Sequence, residues 1–116
     1  MKVIITQKFT KVYYKKLMKY FSLQELTDLI LEKHHTLIPL HIPYFKIKSN
    51  INSISVRGVV FVYKQGKFIV PIILFLKKDK KSGNNIYRNK NKDLILEEYH
   101  QALEDIKQEK YKIFEK

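Results

Sequence analysis

The spacing of apolar residues along this chain changes period several times, and each change marks an element. Residues 2–6 (KVIIT) are short and β-branched, as a strand is. From Thr10 the spacing turns helical, with Tyr13, Leu17, Tyr20 and Phe21 on one face. Ser22 interrupts that face and opens Ser22-Leu23-Gln24-Glu25, a capping-box pattern. In such a box the Ser side chain accepts from the N3 amide while the Glu side chain reaches back to the Ser amide. A second helix is therefore predicted over 23–33, with Leu26, Leu29 and Ile30 inward, and the two helices form a hairpin.

Alternation then replaces the helical period. Residues 37–41 are apolar but broken by Pro39, with Pro43 following, which predicts a loop or an edge strand. Residues 44–48 set Phe45 and Ile47 against Lys46 and Lys48, the pattern of a half-buried strand. After a turn cluster at 50–53 comes a long β-branched run, 54–63, then a hairpin turn at 64–67 (KQGK) and a return strand at 68–76 (FIVPIILFL). Both runs are apolar on consecutive positions, which predicts central strands covered on both faces. Pro71 lacks a ladder donor and predicts a bulge or an edge.

Asp93 is predicted to cap a last helix with the stripe Ile95, Tyr99, Ala102, Leu103 and Ile106. Glu97 and Glu98 in its first turn, and Lys110 and Lys112 near its end, match the helix dipole. The predicted fold class is α+β, in the order β-α-α-β-β-β-α. It is a small antiparallel sheet with an N-terminal helical hairpin on one side and a C-terminal helix closing the other.

Length and composition bound this picture. The 116 residues suit a single domain spanning 1–116, and 45% hydrophobic residues with eight Tyr and seven Phe mark a folded chain. With no Cys there is no disulfide framework and no thiolate metal site, which fits a reducing cytosol. His34, His35 and His41 lack neighbouring Cys or paired carboxylates, so neither a metal nor another cofactor is expected. No signal peptide is visible, and the longest uncharged run, 68–76, is far short of the ~20 residues of a membrane helix. A soluble, cytoplasmic protein is expected.

Charge adds a partner. The formal net charge is +12, but residues 1–92 carry 19 basic and 4 acidic side chains while 93–116 carry 4 basic and 7 acidic. This segregation describes a body that meets a polyanion and a terminal segment that does not. Lysine outnumbers arginine 21 to 2, as an A/T-rich genome produces, yet codon bias does not account for the shortage of acids. The densest segment is 77–92, KKDKKSGNNIYRNKNK, with seven basic residues and one acid directly after an apolar strand. Cations at the rim of a rigid sheet make a phosphate-binding edge; the alternative is a solvated connection.

The order of elements, joined to Ser55-Val56-Arg57 entering 58–63, a short turn, the strand 67–75 and then Lys77-Lys78-Asp79-Lys80-Lys81, resembles the RelE/ParE superfamily of toxin–antitoxin toxins, in particular its HigB-like branch. The family pattern is an Arg opening a strand, a hairpin, a strand ending in an aromatic, then two Lys and a helix containing Ala. Arg57, Phe75, Lys77, Lys78 and Ala102 fill those positions in order, and the likeness covers roughly 57–106. It implies a toxin that cleaves mRNA, often on the ribosome, and that an acidic antitoxin protein neutralises. One branch of the family inhibits DNA gyrase instead.

Metal-free RNA cleavage uses the 2′-hydroxyl of the substrate as nucleophile. The protein must then take a proton, stabilise phosphorane charge and protonate the leaving 5′-oxygen. Arg57, Lys78 and Lys81 are the candidates for catalysis. Lys77, Lys80 and Arg88 would grip phosphate, with Tyr87 stacking on a base. A lysine among lysines has its pKa lowered by like charge and can take part in proton transfer. Two features depart from the family: only two arginines are present, and the sheet-end His of ribonucleolytic members is missing, His100 falling on the surface of the last helix. A gyrase inhibitor and a non-catalytic RNA- or ribosome-binding module are the alternatives.

Overall fold

The computed structural model describes residues 1–40, 43–78 and 92–116. Its strands are β1 (Lys2–Thr6), β2 (Ile38–Pro39), β3 (Tyr44–Ile51), β4 (Ile54–Tyr63), β5 (Phe68–Leu76) and β6 (Tyr111–Phe114), in one sheet ordered β2-β3-β4-β5-β1-β6. The helices are α1 (Gln7–Val12), α2 (Leu23–Lys33) and α3 (Lys92–Lys107). Among the described residues no helix is long and apolar enough to cross a membrane.

The α+β class follows from which faces the strands bury. Val3 and Ile5 of β1 pack with Phe9, Leu26 and Ile30 from the helical hairpin, while Ile4 between them packs with Ile95 and Ala102 of α3. In the same way Val56 and Val60 of β4 face the hairpin, and Val59 and Phe61 face α3. Period-2 alternation with both faces covered is what makes these strands apolar at consecutive positions.

The capping box forms as expected: Ser22 Oγ accepts from Glu25 N at 3.0 Å, and Glu25 Oε1 accepts from Ser22 N at 2.9 Å. Pro71 sits at a bulge, because Val59 pairs with Ile73 and Val60 with Pro71, leaving Ile72 as the extra residue. Ile72 and Ile73 consequently lie on the same face. Ile38–Pro39 is the edge strand allowed by its proline.

Other expectations are corrected. The sheet is mixed, since β1 runs parallel to β5 (Lys2↔Phe68, Val3↔Ile69). Hairpin turns impose antiparallel pairing on β3, β4 and β5, but no turn joins β1 to β5. The first helix starts at Gln7, three residues before Thr10, with the Thr6 hydroxyl accepting from Phe9 N; it gives way to a 3₁₀ turn at Tyr14–Lys16. Asp93 lies inside the first turn of α3 and is not its cap, and Glu97 and Glu98 both fall in the second turn. Lys110 and Lys112 lie beyond the helix, Lys112 in β6.

Glu109, at φ 59°, ends α3 in the left-handed region, with Glu109 N bonded to Ile106 O and Lys110 N to Asp105 O. These are the two bonds of a Schellman motif, and they turn the chain back to lay β6 on β1.

Candidate nucleic-acid interface

The β3–β4 connection is a two-residue turn, Asn52 and Ser53, both at positive φ (50° and 66°), as a type I′ hairpin requires. Asn52 Nδ2 donates to Tyr20 O (3.1 Å) and to Glu25 Oε2 (2.7 Å), pinning this end of the sheet to the capped start of α2. With the turn fixed, register is fixed, and it sets Lys48 directly across from Arg57, and Arg57 across from Phe75.

Alternation therefore gathers Lys46, Lys48 and Arg57 on the face of the sheet that also carries Val59 and Phe75, the face shared with α3. Lys48 is exposed, while Lys46 and Arg57 are half-buried. The ammonium of Lys46, partial desolvation and then Arg57 hold the Lys48 pKa below the ordinary lysine value. Arg57 Nη1 donates to Val56 O at 2.9 Å, which turns the guanidinium back over its own strand. Beside it, a Cβ at Gly58 would overlap the Ile73 carbonyl oxygen, so only glycine lets β4 and β5 approach this closely there.

Lys77 continues the ladder one step past β5, its N–H donating to Ser55 O at 3.0 Å. Lys77 and Lys78 are exposed and border a cleft of ≈ 380 Å³ with Ser53, Ile54, Ser55 and Leu76. Arg57, Lys77 and Lys78 thus share one end of the β4–β5 pair, the end at which β3 and β4 turn. The other expected residues, Lys80, Lys81, Tyr87 and Arg88, lie outside the described residues.

The two buried carboxylates of α3 are engaged elsewhere. Glu98, 6% exposed, accepts from Lys8 Nζ at 2.6 Å, and Asp105, 5% exposed, accepts from Lys8 N at 3.0 Å. Burial, followed by the charge of Glu98 and a hydrogen bond to it, pushes the Tyr13 phenol well above its usual range. The ion pairs among the described residues are Lys2–Glu115, Lys8–Glu98 and Lys116–Glu32, and none of them involves Lys48, Arg57, Lys77 or Lys78. His100 is exposed on α3, as expected.

Lys46 and Lys48 are the members that sequence reasoning did not single out. Their alternation with Phe45 and Ile47 was visible, but which strand they would face depends on register, and that is set by the Asn52-Ser53 turn. Such a cluster of cations can bind phosphate, stabilise developing negative charge and, at a lysine of lowered pKa, move a proton. No family model matches the chain, and no curated protein matches it.

Proposed function

We propose that this chain is a RelE/ParE-type toxin of a type II toxin–antitoxin system, a metal-independent endoribonuclease that cuts mRNA in the cytoplasm and is neutralised by an acidic antitoxin. The observation that carries the reading is the grouping of Lys46, Lys48 and Arg57 on one face of the sheet, with Lys48 opposite Arg57. The α+β architecture, with the helical hairpin on one face of the sheet and α3 on the other, is consistent with it.

In this mechanism the neutral form of Lys48, favoured by its two cationic neighbours, takes the proton of the substrate 2′-hydroxyl. The 2′-oxygen forms a bond to the adjacent phosphorus, and the bond from phosphorus to the 5′-oxygen breaks. Arg57 and Lys46 offset the added charge on the non-bridging oxygens, where a preorganised cation acts without reorganisation. A protonated lysine of the same group returns a proton to the 5′-oxygen. The products carry a 2′,3′-cyclic phosphate and a 5′-hydroxyl. Lys77 and Lys78 hold the flanking phosphates.

The test is incubation of the purified protein with mRNA, alone and on translating ribosomes, with the new ends mapped chemically. Cleavage leaving a 5′-hydroxyl, lost in Lys48→Ala and Arg57→Ala, is the expected result. Intact mRNA under both conditions overturns the enzyme reading, and inhibition of gyrase supercoiling by the same preparation would replace it with the non-catalytic one.

A further inference from the structure

Far along the sheet from the lysine cluster, β6 forms the opposite edge, and one of its sides is open. Gln7 N donates to Lys110 O, so in the antiparallel register with β1 the hydrogen-bonded pairs fall at Lys112 and Phe114. The N–H and C=O groups of Tyr111 and Ile113 therefore point away from β1, toward the open edge. Ile113 is 49% exposed and lies beside Ile4 on the α3 face.

On the hairpin face the same edge borders a groove of ≈ 290 Å³ whose walls include Ile5, Leu23 and Phe114, with Lys11, Lys110 and Lys112 at its polar positions. Among the described residues no carboxylate lines it. We propose that β6 is a docking edge for an extended segment of a partner protein, added as a seventh strand, with acidic residues toward the groove and apolar residues toward Ile113. Strand addition of this kind draws affinity from the main chain and selectivity from alternate side chains.

The charges choose this occupant over a second copy of the chain. A β6–β6 pairing would bring Lys110 and Lys112 of two chains together, while Glu115 and Lys116 already pair with Lys2 and Glu32. The proposal does not depend on the ribonuclease reading, since it concerns another edge and another chemistry.

The experiment is titration of ¹⁵N-labelled full-length protein with a short peptide of alternating Glu and Val, followed by amide shifts and hydrogen exchange. The Tyr111 and Ile113 amides are expected to shift and become protected, with a Lys/Val peptide having no such effect. Ile113→Pro removes an outward N–H without touching the β1 ladder and should weaken binding about tenfold. Lys112→Glu, which keeps the backbone intact should the proline variant fail to fold, should exchange the preference for the acidic peptide for the basic one. The proposal is overturned by absent shifts at β6, by shifts confined to Lys48 and Arg57, or by protection of Tyr111 and Ile113 in a self-associated form without peptide.

Discussion

Lys48 and Arg57 are cross-strand partners, two cations set directly opposite each other on antiparallel β3 and β4. Like charges in that relation destabilise a sheet. Replacing Lys48 with Gln removes the repulsion and keeps a polar side chain, so the variant should melt at a higher temperature than the parent while losing RNA binding and cleavage. Calorimetry and an RNA-cleavage assay on the same preparation check both halves. A Lys48→Gln protein that melts lower would show that the lysine serves the fold.

The lowered Lys48 pKa gives the same relationship a pH signature. Below its folded-state pKa the native chain carries the full repulsion. Between that value and the unfolded lysine value of about 10.4 the unfolded chain binds more protons, so stability rises with pH across this window. Thermal melts taken from pH 7 to 10 should show this upward component in the parent and lack it in Lys48→Gln. If Lys48 takes the substrate proton, the cleavage rate should climb over the same range.

A different part of the molecule depends on an attraction. Glu98 is buried on α3 and holds Lys8 Nζ at 2.6 Å, while Lys8 is 32% exposed. Glu98→Leu leaves a partly buried ammonium without its counter-charge and should cost about 2 kcal/mol in urea unfolding, less than for a fully buried pair because water reaches Lys8. The double variant Lys8→Met with Glu98→Leu should recover most of that loss. Tyr13 reports on the same contact: its phenol is raised by burial and by Glu98, so the native state keeps its proton. The associated stability is complete below about pH 10 and is lost as pH rises beyond it, a loss that Tyr13→Phe should reduce.

These contacts mark the boundary of what the sequence could tell. Ser22 and Glu25 announce the start of α2 because a capping box is local chemistry, and Pro71 announces a bulge because a missing N–H cannot be hidden in a ladder. Arg57, Lys77 and Lys78 are found at one sheet end because a hairpin carries its register in its turn. β1 parallel to β5, and Glu98 turned toward Lys8, are relations between segments far apart in sequence, and no periodicity encodes them. Lys48 falls opposite Arg57 only once the 50–53 turn cluster is narrowed to a two-residue turn at Asn52 and Ser53. Glu98 reads as a dipole-matching surface acid until Lys8 is placed above it. β6 escaped notice for a related reason: a helix usually ends with glycine, and here Glu109 takes that position.

That substitution leads to the last prediction. Glu109 adopts φ 59°, where a Cβ crowds the following carbonyl and glycine does not. The Schellman bonds from Glu109 N and Lys110 N are made by the backbone and survive any change of side chain. Glu109→Gly should therefore stabilise the chain by about 0.5–1 kcal/mol, the relief of strain exceeding the added freedom of the unfolded state. In contrast, Glu104→Gly, at an exposed position inside α3, should cost about 1 kcal/mol. Paired urea titrations of the two glycine variants separate local strain from helix propensity. If both lower stability alike, the Glu109 side chain contributes more to the α3–β6 junction than its backbone geometry costs.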